Sequence, residues 1–438
     1  MLSLGDALAT VAEARAFRRN PLEVLARRAP PGRCGRLHIA TRPFDVVSSH
    51  EVATAILRDP RFIKAPGPLA PLEAMPAALA YARVIGGGLP LLDGEEALAR
   101  RRLLGPVYAR AHQQQLLLDD GVHGRARLLA LIDEHRGAAG HDDVVDLYRV
   151  AARFAVEKLF ALFLGQSCEA ISNGIVVGLD DAAAAIDAAA QSVLPWTLDG
   201  PWPVARGVRR ARETLLSLAE SALDTLPATA PFSAIADSDR AIVVDEILTS
   251  MVAGTDTTAL SICWTLTFLA RHPSWCSRLR QEAATGSTTS LTAVIRESQR
   301  LCPPLWQTPR VPTQDVVIDG YRFEQGAFVM VCLALANRDP VFGDDVDAFD
   351  PARAARGGPS PLSFGHGPRS CIGGRLALST IEAAIAAIVD SGDVAFVDPD
   401  AEARPLLFGL KREGGFPARL TPRVTTASSS ASASARAG

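Results

Sequence analysis

One cysteine of the chain, Cys371, lies in a short loop that is rich in glycine and is followed directly by a helical pattern. The loop reads FGHGPRSCIGG from Phe364 to Gly374. A thiol can serve as a nucleophile, as a metal ligand or as an inert core residue, and each use predicts different neighbours. A phosphatase-type loop needs an arginine six positions after the cysteine, where Ala377 stands, and a zinc site needs three or four ligands, of which only His366 is near. Spacing therefore excludes these two uses.

The neighbours of Cys371 fit another use, as the axial thiolate ligand of a haem iron. Backbone N–H groups at the start of a helix stabilise a negatively charged sulfur, and glycines let the backbone approach that sulfur closely. Phe364 is placed to cover the sulfur from water, and Arg369 to pair with a haem propionate. We therefore predict that Cys371 binds iron, whereas an inert thiol is the expected role of each of the other six cysteines.

A second group of polar residues interrupts the long apolar stretch over 239–273. It reads AGTDTT, from Ala253 to Thr258. Gly254 would let dioxygen lie against a helix, and Asp256 and Thr257 place an acid beside an alcohol, which suits proton delivery during cleavage of an O–O bond. The structural alternative is that Gly254 ends one helix and that Asp256 or Thr257 caps the next. Taken by itself, the hexapeptide favours this alternative.

Both segments resemble signatures of the cytochrome P-450 superfamily. The fixed positions of the haem-binding pattern F-x-x-G-x-R-x-C-x-G are all filled, and AGTDTT is similar at every place to the oxygen-activation pattern (A/G)-G-x-(D/E)-T-(T/S). The resemblance implies a mainly α fold with small β-sheets, in which haem b (iron protoporphyrin IX) lies between the long helix and the cysteine loop. It implies Cys371 as the metal ligand and Asp256 and Thr257 as catalytic residues. The further cofactor contacts that it implies are Ala253, Gly254, Phe364, Gly365, Arg369 and Gly373.

A third pattern combines acidic and basic residues in a structural role. Glu297 and Arg300 are three residues apart in TAVIRESQRL, and exposed pairs of this kind contribute only about 0.2 to 0.5 kcal/mol. They match the E-x-x-R motif of the family, and FDPAR supplies Arg353 as a third member. The resemblance therefore implies a buried network that supports the haem loop.

Two other arginines are candidate partners of the haem propionates. Arg310 lies ahead of a predicted hairpin, where the family places such a residue. Arg101 lies in DGEEALARRRLL, which resembles the family segment D-x-x-x-H-x-x-x-R-R except that Ala97 replaces the histidine. This difference removes one usual haem contact and leaves open which arginine of 100–102 faces the cofactor. A solvated helix face is the alternative for all three arginines.

The family positions of the substrate pocket are mostly apolar in this chain. They predict a mainly hydrophobic substrate, with one polar contact from an amide side chain. Besides the loop 64–92, the predicted pocket residues are Leu248, Met251, Val252, Leu305, Trp306, Gln307, Leu406 and Leu407.

The elements that must position these residues follow from hydrophobic periodicity, which is mostly helical. We predict a hairpin over 36–49, a helix over 50–59, helical segments over 95–230, a helix of about 45 to 50 Å over 239–273, and a hairpin turned at Asp319 and Gly320. No linker stands out. We therefore expect a helical lead-in (1–35), one P-450 domain (36–423) and a disordered low-complexity tail (424–438).

The bulk composition limits the partners and the compartment. There are 45 basic and 48 acidic residues, so no basic surplus points to nucleic acid. The seven cysteines form no CxxC pair, and the first twenty residues contain charges that interrupt any apolar anchor. We expect a soluble, cytoplasmic, monomeric protein without a membrane anchor.

The resemblance implies a haem-thiolate monooxygenase that uses O2 to hydroxylate or epoxidise an apolar small molecule in bacterial secondary metabolism or catabolism. The sequence carries no flavin, iron-sulfur or nicotinamide motif, so electrons from NAD(P)H are expected to arrive through a ferredoxin and a ferredoxin reductase. Two alternatives stay open. One is a peroxide-driven or non-oxidative member of the family, and the other is a non-catalytic haem protein that binds ligands or partners.

Overall fold

The computed structural model describes residues 16–17, 19–39, 42–64, 76–118, 122–136, 143–191, 198, 200–406 and 409–422. The α-helices in these ranges are α1 (Pro21–Arg28), α2 (His50–Arg58), α3 (Pro76–Ile85), α4 (Gly94–Leu118), α5 (Val122–Glu134), α6 (Leu147–Leu159), α7 (Ser172–Gln191), α8 (Pro203–Asp224), α9 (Arg240–Arg271), α10 (Pro273–Ala283), α11 (Thr289–Leu301), α12 (Leu333–Ala336) and α13 (Gly374–Ser391). The strands are β1 (Cys34–Ile39), β2 (Arg42–Val47), β3 (Phe62–Ile63), β4 (Val144–Asp146), β5 (Thr308–Pro312), β6 (Val316–Ile318), β7 (Tyr321–Phe323), β8 (Phe328–Val331), β9 (Gly392–Phe396), β10 (Ala403–Leu406), β11 (Gly409–Arg412) and β12 (Pro417–Pro422). The described chain is mainly helical with small sheets, as predicted.

Helix α9 is the longest element and passes through AGTDTT without a break. The side chain of Asp239 caps its first turn by accepting the Ala241 N–H, and Pro273 opens the next helix. Its 32 residues span about 48 Å. Thr257 and Ser261 donate their hydroxyls to the carbonyls four residues earlier, so these polar groups are satisfied inside the helix. The predicted long helix is confirmed, and the capping alternative for AGTDTT is wrong.

The largest sheet has the strand order β1-β2-β8-β5-β3. Its first two strands form the hairpin predicted over 36–49, with Cys34 opposite Val47, and β2 runs parallel to β8. The smaller hairpin of β6 and β7 turns at Asp319 and Gly320, which have φ angles of 49° and 74°. Both angles lie in the left-handed region that such two-residue turns require. A strand that the sequence did not predict, β4, joins β12 and β9 in a third sheet.

The hydrophobic core consists of two large clusters that share α9, and a smaller third cluster lies under the largest sheet. The C-terminal part of α9 packs with α6, α11 and α13, whereas its N-terminal part packs with α3, α4, α7 and α8. On α9, the second cluster extends to Met251 and the first begins at Ala259. The polar hexapeptide therefore lies where the two clusters meet, and the cavity described below opens at that point.

Some predictions fall partly or wholly outside the described residues. These are the tail 424–438, residue Leu407, most of the lead-in before α1 and residues 65–75 of the predicted pocket loop. The part of the lead-in that is described includes α1, whose Val24 and Leu25 are buried in the first core cluster. Among the helices of the described ranges, none is long and apolar enough to cross a membrane.

Candidate active site

A cavity of about 540 Å³ separates the cysteine loop from the middle of α9. Cys371 lies on one wall together with Phe364, Gly365, Arg369 and Gly373. Residues 252–258 of α9, which include all the predicted residues of AGTDTT, line the same cavity. Residues that are more than one hundred positions apart in the chain thus face one space.

The cysteine loop takes its shape from two glycines in the left-handed region. Gly365 and Gly367 have φ angles of 69° and 71°, which strain any other residue type. A Cβ at Gly367 would also lie 2.8 Å from the Leu57 carbonyl oxygen, so the glycine permits close contact with α2. The Cys371 N–H donates to the Phe364 carbonyl at 2.8 Å and closes the loop. Helix α13 then begins at Gly374, three residues after the cysteine.

The Cys371 thiol is exposed to the cavity, and its surroundings act on its pKa in opposite directions. Burial raises its pKa above the usual range, whereas the Gly373 N–H and the positive charges of Arg101 and Lys64 act to lower the pKa. Burial is the largest of these effects, so the free thiol stays protonated. A metal ion that bound the sulfur would displace the proton, since ligating thiols are deprotonated.

Four cationic side chains line the cavity near the cysteine, namely Lys64, Arg101, Arg310 and Arg369. Arg310 is only 3% exposed, and burial lowers its pKa to about 10. Its guanidinium donates to Thr308 Oγ1 at 2.9 Å and to the Pro309 carbonyl at 2.7 Å. Arg369 pairs with Asp93, the one carboxylate that the described residues bring to this group. Such an excess of buried positive charge fits a ligand with carboxylate groups.

The geometry of α4 identifies the arginine that faces the cavity. Arg101 lines it and donates to the Ser370 carbonyl at 2.9 Å, which ties α4 to the cysteine loop. Arg100 points to α9 and pairs with Glu246 at 2.6 Å, and Arg102 is solvent-exposed beside Glu95. The solvated-face alternative therefore describes Arg102 alone. Ala97 lies one turn before Arg101 on the cavity wall, where its methyl group offers no hydrogen-bond donor.

The Asp256 carboxylate is held by residues of two other elements. The Tyr148 hydroxyl of α6 donates to Asp256 Oδ1, and Lys411 Nζ of β11 lies 3.8 Å from the same oxygen. Lys411 Nζ also lies 4.9 Å from the centre of the Tyr148 ring. The neighbouring Thr257 donates its hydroxyl to the Ala253 carbonyl at 2.7 Å. The acid and the alcohol thus adjoin the same cavity, and the acid also contacts a half-buried lysine.

Gly254 serves a packing role that the sequence did not reveal. A Cβ at this position would lie 3.0 Å from Leu159 Cδ1, so the glycine lets α6 approach α9. The Cβ position therefore faces α6. That dioxygen can lie against this glycine stays a prediction. Gly254 also lines the cavity.

Glu297, Arg300 and Arg353 meet in one buried network. Arg300 donates to both oxygens of Glu297 at 2.8 Å, and Arg353 donates to Glu297 Oε1 at 3.1 Å. The two guanidiniums also bind backbone carbonyls of the segment 337–348. The network therefore fixes the backbone that leads to the cysteine loop.

The predicted pocket residues divide between the cavity and the core. Val252 and Leu305 line the cavity. Leu248, Met251 and Trp306 are instead buried in the hydrophobic clusters, because they point away from it along α9 and after α11. Leu406 accepts the Trp306 indole N–H on its carbonyl, and Gln307 Oε1 is buried without a hydrogen-bond partner among the described residues. Leu407 lies outside the described residues.

Several residues of the site were missed by the sequence analysis. They are Asp93, Tyr108, Tyr148 and Lys411, of which Tyr108 and Tyr148 lie on the cavity wall. No local pattern distinguishes them from ordinary core or surface residues. Their placement results from contacts between distant elements, such as that of Tyr148 with Asp256, which is 108 positions away.

Comparisons with known proteins identify several proteins that are similar to this chain. The family model for cytochrome P-450 matches residues 237–408. The mouse mitochondrial 25-hydroxyvitamin D-1 alpha hydroxylase is 28% identical over 368 residues, which cover 73% of this chain and 71% of that protein. Pentalenene oxygenase of Streptomyces avermitilis is 31% identical over 199 residues, or 41% of this chain and 43% of that protein.

Two solved structures share the fold. A 6-coordinated cytochrome P-450 from Thermus thermophilus has a TM-score of 0.68 at 22% identity and covers 87% of this chain and 92% of its own. CalO2 has a TM-score of 0.70 at 21% identity and covers 93% of this chain and 97% of its own. The predicted mainly α fold is confirmed. The resemblance to the cytochrome P-450 superfamily, predicted from the motifs, is confirmed by the match of the family model over residues 237–408.

Proposed function

We propose that the protein is a haem-thiolate monooxygenase that inserts one atom of O2 into a mainly apolar small molecule by hydroxylation or epoxidation. The observation that carries this proposal is that Cys371, Asp256 and Thr257 line one cavity. The residues of the cavity fit haem b. Cys371 would ligate the iron, and Arg101, Arg310 and Arg369 would bind the propionates.

The bound haem supplies the reductive activation of dioxygen. The chain supplies the protons for this reaction. Because the Thr257 hydroxyl donates to the Ala253 carbonyl, its oxygen is left to accept a hydrogen bond from the cavity side. Because Tyr148 donates to Asp256 Oδ1, the other oxygen, Oδ2, is the one available to carry a proton. Lys411 adjoins the same carboxylate, so protons can be replaced from the solvent side.

The substrate class follows from the remaining wall of the cavity. The side chains that α6, α7 and the segment between them contribute there are mostly apolar, and the apolar ones include Ala152, Ala155, Leu159, Leu162, Val176, Leu179, Ala182, Ala183 and Ile186. An apolar wall of this kind favours a hydrophobic substrate through removal of apolar surface from water. Secondary metabolism and catabolism both use such molecules, and we propose either as the setting.

The test is turnover with isotopically labelled dioxygen. The purified protein would receive NAD(P)H, a ferredoxin, a ferredoxin reductase and a panel of lipids, terpenes and macrocycles. We expect one labelled oxygen atom per product. Asp256→Asn and Thr257→Ala should each lower the product formed per O2 consumed by about 100-fold or more, since positioned proton donors contribute roughly that amount.

Two outcomes would overturn the proposal. Turnover with hydrogen peroxide alone, and none with O2 and the electron donors, would indicate a peroxide-driven enzyme. Absence of any product, together with oxygen consumption that Thr257→Ala leaves unchanged, would indicate a haem protein that only binds ligands.

A further inference from the structure

Lys64 lines the cavity near the cysteine loop but has no role in the proposed function. Lys64 follows strand β3, and neither the haem-binding pattern nor the E-x-x-R network includes it. Its backbone N–H donates to both oxygens of Asp93, at 3.1 and 2.9 Å, and its side chain lines the cavity. The backbone is therefore anchored, while the ammonium group faces the space beside the cysteine loop.

The surroundings of the Lys64 ammonium are unfavourable in the absence of an anion. Burial, together with the charges of Arg310, Arg369 and Arg101, lowers its pKa to about 7. Within the described part of the chain, Lys64 forms no ion pair, and the Asp93 carboxylate is already paired with Arg369. A partly buried cation that lies among three others is stabilised when a negatively charged ligand joins the group.

The position of Lys64 relates it directly to the histidine that this chain lacks. Asp93 binds the Lys64 N–H through its side chain and the Ala97 N–H through its carbonyl, at 3.2 Å. Lys64 and Ala97 are therefore both bonded to one residue at the start of α4, and both line the cavity. In the first turn of α4, the Ala97 side chain has no hydrogen-bond donor. Lys64, directly after the adjacent strand β3, has an ammonium group with three hydrogen-bond donors.

We propose that Lys64 binds a carboxylate of the haem and takes over the contact that is lost where Ala97 replaces a histidine. This inference rests on the proposed function, since it requires haem in the cavity. The ligand chemistry is that of a propionate group on a planar macrocycle. Removal of the lysine should weaken retention of the haem without changing which atom ligates the iron.

The experiment measures loss of haem from the intact holoprotein to an excess of apomyoglobin, followed by visible absorption. Lys64→Met should release haem about 10- to 100-fold faster than the unchanged protein, the effect of one charge-assisted hydrogen bond. Lys64→Arg should release it at nearly the original rate. In the Lys64→Met background, Ala97→His should restore slow release, because it returns a donor to the first turn of α4.

Lys158 supplies a matched control. It also lines the cavity, but it lies on α6, with its ammonium 5.6 Å from the centre of the Phe154 ring. Lys158→Met should therefore release haem at the unchanged rate.

Equal rates of haem release from Lys64→Met and the unchanged protein would overturn the inference. Equally fast haem release from Lys158→Met and Lys64→Met would also overturn it. If Lys64→Met does not fold, the test uses Lys64→Arg with and without Ala97→His. Faster haem release from the double variant than from Lys64→Arg alone would overturn the inference. A protein that never takes up haem in any variant would instead refute the proposed function.

Discussion

At the scale of single residues, the chemistry depends on how the Asp256 carboxylate is held. Asp256 is followed by Thr257 in α9, but its hydrogen-bond partner, Tyr148, comes from α6, and its nearest cation, Lys411, from β11. A carboxylate with one oxygen engaged keeps a fixed orientation, and the other oxygen then carries the proton. Positioning of this kind affects proton transfer strongly, because the donor must lie within hydrogen-bond reach of the acceptor.

Tyr148→Phe tests this positioning role. Loss of the hydroxyl frees Asp256 Oδ1, so we expect the product formed per O2 consumed to fall about tenfold and the solvent isotope effect on turnover to change. The measurement is product yield and oxygen uptake in light and heavy water. Tyr321→Phe is the control, since its hydroxyl donates to Asp45 in the distant sheet. An unchanged isotope effect in Tyr148→Phe would contradict the positioning role.

At the scale of elements, the segment between α3 and α4 is fastened to α9 by two consecutive acids. The Gly87 N–H donates to Asp245 Oδ2 and the Leu89 N–H to Glu246 Oε1, each at 2.8 Å. A Cβ at Gly88 would overlap Thr249 Oγ1, so only glycine allows this close approach. Because Leu89, Pro90 and Leu92 line the cavity, the contact sets the position of one of its walls.

Gly88→Ala should therefore displace this wall. We expect a loss of about 1 to 3 kcal/mol in the free energy of unfolding, which is typical of overpacking, and weaker binding of apolar ligands. Urea unfolding and ligand titration measure the two effects. Gly174→Ala, in helix α7 with open space around its Cβ position, is the matched control and should be neutral or stabilising. Equal stability of the two variants would contradict the close contact.

The junction of α5 and α6 predicts a dependence on pH. The guanidiniums of Arg127 and Arg153 each donate to Glu134 at 2.7 Å and hold the pKa of this carboxyl below its usual value of 4.5. The unfolded chain therefore binds the proton more readily, and the stabilisation is present above about pH 4.5 and is lost as the pH falls toward the lower folded value.

Glu134→Gln removes this contribution. In urea unfolding followed from pH 7 to pH 3, we expect the unchanged protein to exceed the variant in stability at pH 7 and the difference to shrink below pH 4.5. Asp133→Asn, at a neighbouring exposed acid that pairs with Arg136, is the control. A difference that stays constant over this range would show that the charge of Glu134 does not stabilise the junction.

At the scale of the whole molecule, the sequence predicted what is local in the chain. The cysteine loop, α9 and the E-x-x-R pair are each contained in one continuous segment, so the spacing of their residues can be recognised in the sequence. Tyr148 and Lys411 were missed because distant elements bring them to the site. Leu248 and Met251 were assigned to the pocket by family position, and the apolar pattern of α9 could not correct this, because it does not distinguish the face toward the cavity from the face toward the core.

The proposed function requires that the Cys371 sulfur binds a haem iron in the cavity. The most direct measurement is the absorption spectrum of the dithionite-reduced protein under carbon monoxide. We predict the Soret band position that is typical of thiolate-ligated haem, its loss in Cys371→Ser, and its retention in Cys276→Ser, where a partly buried thiol is changed elsewhere. A colourless protein after supply of hemin, or a spectrum that Cys371→Ser leaves unchanged, would contradict the account.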